Sequence, residues 1–435
     1  MSARAEARAA VEAIFQAALR AVEPEWLVRA VLSRSGDGII VGPQRITVPG
    51  RVVVLAVGKA ALPMARGAEE ALGDRIAGGL AVTKRGFLSG QALPRRVAVL
   101  EGAHPVPDSS SVAAGERLLA LAESLGPDDL ALVLISGGGS ALVEAPRAGV
   151  TLPQIAAATE LLLRHGADIT TLNAVRRRLS RLKAGGLARA ASPARVVNLI
   201  VSDVLGSPLP LIASGPSVDP GVLDPAVLAA VRAPTVWREL PPAVQQALSV
   251  VELEERSGNV VLSEVLADAA STARAAVAAA RELGYQPALL STRFEGEARE
   301  FGGFWAQLAL GVARGEFVLP RPACLVGTGE MTVTVRGAGR GGRNTEMALA
   351  AALAIAGHVG VTIASLATDG DDGSSDAAGG VVSGESVARA VAAGLDPREM
   401  LQANDSARFL AACGGLIVTG ATGTNVNDLY LALIE

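Results

Sequence analysis

Apolar residues along this chain follow two different periods, and the change from one to the other sketches the fold. Val11, Ile14, Phe15, Ala18, Leu19 and Val22 recur at helical spacing with Glu6, Glu12 and Glu23 among them. That pattern predicts an amphipathic helix rather than the uninterrupted apolar stretch of a secretory signal. Gly38–Pro49 reads as a short hairpin turning at Gly-Pro. Then come short unbroken apolar runs, Val52–Val57, Leu80–Thr83, Val97–Leu100, Leu130–Ile135 and Val196–Val201. Runs of this kind suit strands buried on both faces of a parallel sheet. The Ala-rich stretches Ala60–Leu72, Ser110–Leu125 and Leu152–His165 between them read as helices. The strand–helix rhythm predicts an α/β fold with a Rossmann-like, doubly wound parallel sheet.

Prolines crowd the segment from Asp219 to Pro242, which reads as a connection between two bodies. The expected division is therefore 1–242 and 243–435. The second body again alternates: helix Ser263–Leu283, strand Pro287–Ser291, helix Gly296–Arg314, then strands Ala323–Gly327 and Met331–Arg336 around a Gly-rich turn. Helix Asn344–Ala356, strand Thr362–Thr368 and two closing strands, Leu416–Val418 and Leu429–Ile434, complete it.

Composition narrows the class. The chain has 435 residues, half of them apolar and 19% charged, which suits two folded domains and excludes dominant disorder. Aromatic residues make up only 3%, so Ala, Val and Leu must fill the core. A net charge of −4 supplies no overall field for nucleic acid or an anionic membrane. Cys324 and Cys413 are the only cysteines, too few for a disulfide framework or a thiolate zinc site. A soluble, cytoplasmic protein is expected.

Candidate chemistry gathers where strands should end, the usual ligand position in open α/β sheets. Lys59, just past the first buried run, could reach a phosphate as a point charge. Ser136-Gly137-Gly138-Gly139-Ser140 lies between a strand and a helix, where backbone N–H groups can converge on an anion. Lys183 precedes Gly185-Gly186 at the end of a basic helix and is the cation of that segment placed to meet an anion. Asp203 follows the Val196–Val201 run and reads as a general base, a metal ligand or a helix cap. His104 is the one histidine credible in a site. Gly327-Thr328-Gly329-Glu330 reads as a Gly-rich turn, with Glu330 a binding candidate.

Gly337, Gly339 and Gly342 spell GxGxxG before Arg343-Asn344, imitating a dinucleotide fingerprint, although Arg340 and Arg343 within it suit a phosphoryl group better. Asp369, Asp371, Asp372 and Asp376 form the densest set of hard oxygen donors in the chain. A divalent ion such as Mg²⁺ suits them, and Asp369 and Asp372 are the expected ligands. Gly-rich anion loops, isolated Lys and Arg, and an acidic cluster together describe a phosphoryl-transfer site.

The segments SGGGSAL, LNAVRRRLSRLKAGGLA, SDVLGSPLPLIASGP, GRGGRNTE, TDGDDGSSDAAGG, NDS and TGTNV resemble the type II glycerate kinases, which carry a C-terminal MOFRL domain. The resemblance covers nearly the whole chain. It implies phosphorylation of D-glycerate by ATP with Mg²⁺, normally at the 2-hydroxyl, with the lysine of VGKA and the arginine of GGRN, here Lys59 and Arg343, at the active site. An active site in the cleft between the two domains is expected, with Lys59 and Arg343 facing it and Asp203 as a catalytic partner. Ser136–Ser140, Lys183, Glu330, Asn344 and His104 are then expected to bind substrate or nucleotide. D-glycerate and ATP are the expected partners, and a homodimer is compatible with the chain. An NAD(P)-dependent hydroxypyruvate or 2-hydroxyacid reductase and a non-catalytic nucleotide-binding protein are the competing readings.

Overall fold

The computed structural model describes residues 3–167, 169–218, 231–249 and 258–435. The chain forms two compact units that interleave in sequence. The first comprises Pro24–Ser202 and Ser207–Leu266; the second comprises Met1–Glu23, Asp203–Gly206 and Ala267–Glu435.

In the first unit, strands β1 (Leu32–Ser35), β2 (Gly38–Val41) and β3 (Gln44–Thr47) form an antiparallel meander, with the expected hairpin between β2 and β3. A six-stranded sheet follows, built from β4 (Val52–Val57), β5 (Ile76–Lys84), β6 (Ala98–Gly102), β7 (Leu130–Ile135), β8 (Arg195–Val201) and β9 (Val260–Ala267). Its order is β6-β5-β4-β7-β8-β9, and the pairings β6/β5, β5/β4, β4/β7 and β7/β8 are all parallel. Every residue of β4 and β7 is buried, as continuous apolar runs require of central parallel strands.

The second unit has its own six-stranded sheet, from β10 (Gln286–Glu297), β11 (Ala323–Thr332), β12 (Val361–Ala367), β13 (Gly379–Ser383), β14 (Leu416–Ile417) and β15 (Asp428–Ile434). The order β10-β11-β15-β12-β13-β14 is mixed, with only β10/β11 parallel. Along β15, Tyr430, Ala432 and Ile434 join one core with helices Ala298–Ala313 and Arg343–Ala354. The alternate residues Leu429, Leu431 and Leu433 join the opposite core. There they meet Val11, Ile14, Phe15 and Ala18 of the first helix and Ala273, Ala276 and Ala280 of helix Ala269–Glu282. The scarce aromatics are concentrated on the first of these faces, where Phe294, Phe301, Trp305 and Tyr430 pack with ring centroids 4.9–6.3 Å apart.

Several expectations need correction. A single cut between 242 and 243 does not describe the units. The first helix buries its apolar stripe on the second unit's sheet, whereas β9 hydrogen-bonds into the first. Of the supposed connection, residues 219–230 lie outside the description. The described remainder is packed rather than linking: Val236, Leu240 and Val244 are buried with Ile155, Leu161 and Leu172. Residues 263–267 extend β9 instead of opening a helix, because Asp268 caps helix Ala269–Glu282 by accepting from the Ser271 N–H at 2.9 Å. Finally, β11 runs straight through Gly327-Thr328-Gly329-Glu330. Gly329 is required there by close packing, since a Cβ would stand 2.1 Å from the Phe294 carbonyl oxygen.

Candidate active site

Strand order in the first unit's sheet reverses between β4 and β7, with β5 and β6 on one side and β8 and β9 on the other. Such a switch point leaves a crevice at the carboxyl ends of the strands. The two segments leaving it are tied together. Lys59 N–H donates to the Gly137 carbonyl at 2.8 Å, and Ala60 N–H donates to Ser136 Oγ at 3.0 Å. The buried Ser136 hydroxyl therefore joins the two loops. Gly138 follows in the left-handed region, at φ 79°. A Cβ there would lie 3.1–3.2 Å from the His104 ring and 3.5 Å from Lys59 Cγ, so both candidate side chains lean on this glycine.

The helix that follows, Gly139–Leu142, has only four residues. Its summed dipole is accordingly small, and the first-turn N–H groups act as individual donors. Ser140 Oγ lies 2.7 Å from Ser214 Oγ. The Ser214-Gly215-Pro216 carbonyls in turn accept from the N–H groups of Ala184 (3.0 Å), Gly185 (2.7 Å) and Leu187 (2.8 Å), bracing the loop from behind.

A pocket of about 570 Å³ opens beside this loop, lined by His104, Gly138 and Ser140 together with Ile155, Ala156 and Leu163. Lys183 and Glu144 also line it. Lys183 is 3% exposed and its ammonium meets Glu144 Oε2 at 2.6 Å, so the anion it binds is the protein's own. Glu144, which sequence reasoning missed, was detectable as a lone carboxylate amid the apolar residues after the serine–glycine loop.

In the second unit, Arg343 opens helix Arg343–Ala354. Its Nε and Nη2 donate to Asp428 at 2.5 and 3.0 Å, and Nη1 lies 3.1 Å from Glu330 Oε1. Three of its five N–H groups are thereby engaged. Burial opposes the Arg343 charge, but Asp428 and Glu330 outweigh it and hold the guanidinium firmly protonated. Burial pushes the fully enclosed Asp428 carboxyl up, with Arg343 pulling it back. Asn427 Nδ2 donates to Glu330 Oε2 at 3.0 Å and to the Asp203 carbonyl at 2.6 Å, while Asn425 Nδ2 meets Asp203 Oδ2 at 3.3 Å. Asp369, 6% exposed, follows β12 and contributes to the same negative field at Asp428. Asp203, Glu330 and Arg343 are thus brought together. Asp428 and Asn427 were overlooked, although two polar residues directly before a strongly apolar closing run are a usable signal.

Asn344 and Asp372 serve another purpose. Asp372 Oδ1 accepts from Asn344 N–H at 2.9 Å and Asn344 Nδ2 at 3.3 Å, and Oδ2 accepts from Thr345 N–H at 2.8 Å. Asp372 is 1% exposed, and burial raises its carboxyl to about 6 against the pull of those N–H groups. It caps the helix, which removes it from the expected metal pair. Asn344 Oδ1 accepts from the Ser365 hydroxyl at 2.6 Å within the core. The dinucleotide fingerprint fails for the same reason. The helix N-terminus where a pyrophosphate would sit is filled by Asp372, and Gly342 is packed so tightly that a Cβ would lie 2.5 Å from that residue.

Among the described residues, no three His, Cys, Asp or Glu side chains converge as a metal cage. Asn427 Oδ1, in a residue 2% exposed, has no hydrogen-bond partner among the described residues, while its amide nitrogen is held by two acceptors. An orphaned carbonyl oxygen beside Asp203 and Glu330, with Asp369 acting on neighbouring Asp428, fits a hard cation that takes one or two carboxylates and keeps several waters.

Two family models match the chain: the domain of unknown function DUF4147 over residues 10–249 and the MOFRL family over residues 323–428. The D-glycerate 2-kinase of Thermotoga maritima is 40% identical, over 88% of this chain and 91% of its own length. A protein of Agrobacterium vitis named as a putative hydroxypyruvate reductase is 41% identical, over 98% and 94%. A crystal structure of glycerate kinase from Thermotoga maritima superposes with a TM-score of 0.87 at 37% identity, covering 99% of this chain and 100% of that one.

Proposed function

The chain belongs to the type II glycerate kinase family, and from that premise we propose that it transfers the γ-phosphoryl group of ATP to the 2-hydroxyl of D-glycerate, giving 2-phosphoglycerate and ADP. The observation that carries the reading is the Ser136–Ser140 loop at the switch point, with Lys59 and His104 against Gly138. Phosphoryl transfer needs positioned positive charge and N–H donors more than covalent chemistry, and this loop offers both.

Within the proposal, Lys59 and the N–H groups of Gly138–Ser140 bind phosphate oxygens. Arg343, oriented by Asp428 and Glu330, presents its two remaining N–H groups to an anionic oxygen of the substrate. Asp203, steadied by Asn425 and Asn427, accepts the proton of the attacking hydroxyl. Mg²⁺ would be held by Asp369 with Asn427 Oδ1, and when bound it would neutralise phosphate charge. Under this reading the protein works in the cytoplasm.

The reductase reading rests on how some relatives are named and on the GxGxxG of Gly337–Gly342, and Asp372 occupies the position that fingerprint needs. Incubating the purified chain with ATP, Mg²⁺ and D-glycerate tests the choice. ADP and 2-phosphoglycerate are expected in equal amounts, with no oxidation of NADH or NADPH by hydroxypyruvate. Nicotinamide oxidation without phosphorylation would establish the reductase instead, and ATP binding without turnover would establish a non-catalytic role.

A further inference from the structure

We propose that the 570 Å³ pocket beside the serine–glycine loop is the site of the nucleoside, base and ribose together, of the phosphoryl donor; this rests on the kinase reading above. Its size and walls carry the argument. A three-carbon acid is too small and too polar to need such a space, which falls in the ~300–1,000 Å³ range of pockets that enclose larger, partly apolar ligands. Helix Leu152–Arg164 supplies Ile155, Ala156 and Leu163 as an apolar wall. Among the lining residues, Leu163 is 57% exposed and Val106 69% exposed. Large, exposed apolar side chains in the lining of one pocket suit the faces of a planar base.

The pocket's lining combines apolar and polar groups, as a nucleotide would demand. Thr159 and Glu160 stand among the apolar residues, where they can meet the base edge or ribose hydroxyls. His104 and the phosphate-loop residues Gly138 and Ser140 belong to the same lining. A nucleoside in the pocket would therefore place its phosphate chain toward Lys59, which lies against Gly138. Lys183 and Glu144 neutralise each other, and Arg176 adds a positive charge to the same lining.

The test is Ala156→Trp in the full chain. Ala156 is exposed on the helix surface, so the indole fills the pocket without entering the core. Direct titration of ADP by calorimetry and steady-state kinetics are measured on the parent and the variant. The expected result is at least a tenfold weaker ADP affinity and a tenfold higher KM for ATP, with the KM for D-glycerate within twofold. Leu163→Glu should weaken ADP several-fold in the same sense. A rise in the glycerate KM with ADP binding intact would make this the acceptor pocket, and unchanged binding of both in both variants would remove it from the site; either overturns the proposal. Should the parent bind ADP yet phosphorylate no D-glycerate, the kinase reading fails alone. Loss of ADP binding in Ala156→Trp would then still uphold the pocket, and retention would still refute it.

Discussion

Replacing Arg343 separates its structural duty, holding the second unit's acidic residues, from the role on the substrate that the proposed function gives it. In Arg343→Met the Asp428 carboxylate, 0% exposed, loses both of its guanidinium bonds, at 2.5 and 3.0 Å. Tyr430 OH, at 3.4 Å, is too distant to compensate. Removing one partner of a buried ion pair costs about 3–5 kcal/mol, since the other charge remains enclosed. At about 2–4 °C per kcal/mol for a domain of this size, the melting temperature should fall by roughly 6–20 °C. The double variant Arg343→Met/Asp428→Leu removes the stranded charge and should recover most of that stability without recovering turnover. Arg343→Lys keeps the charge but not the fork, so it should be more stable than Arg343→Met, with kcat still down by about 10²–10³-fold, the effect of losing a preorganised donor. Melting is followed by calorimetry and turnover by ADP release. A melting temperature for Arg343→Met within 2 °C of the parent, or a double variant no more stable than the single, would refute the reasoning.

Three further outcomes follow from the geometry. Asp372→Ala strips the cap from helix Arg343–Ala354 and should cost about 1–2 kcal/mol in chemical denaturation, with the Mg²⁺ concentration for half activity unchanged; Asp369→Asn should raise that concentration instead. Gly138→Ala sets a Cβ 3.1–3.2 Å from the His104 ring at a φ of 79°, so the KM for ATP should rise while the core, and hence the circular dichroism spectrum, stays intact. Asp129, 6% exposed, is held down to about 2 chiefly by its hydrogen bonds from Arg51, so its contribution is present above the usual carboxylate range and lost as pH falls towards 2. Asp129→Asn should therefore cost about 2 kcal/mol at pH 7, and the gap to the parent, measured by urea unfolding, should close below pH 3.

Parallel architecture was legible because β4 and β7 are apolar at every position, and only burial on both faces tolerates that. The mixed second sheet was harder to read. Gly327 and Gly329 look like a turn, yet they are strand positions narrowed by Phe294 and Trp305, and no local pattern reports a neighbour that is distant in sequence. The same limit explains the interleaved units, since the first helix declares its apolar stripe but not the sheet it covers. At the candidate site, loops at strand ends were found by position. Partners were not: Glu144 for Lys183, Asp428 for Arg343 and the helix for Asp372 all depend on side chains meeting across 28 to 85 residues of chain.

The most direct test of the central claim follows the phosphorus atom. Phosphorus NMR of ATP, Mg²⁺ and D-glycerate with the parent chain and with Lys59→Ala resolves 2-phosphoglycerate, 3-phosphoglycerate and free phosphate in one spectrum. A 2-phosphoglycerate signal matching the ADP formed, and falling by about 10²–10³-fold in rate in Lys59→Ala, is predicted. Free phosphate alone, or equal rates for the two proteins, would contradict the account.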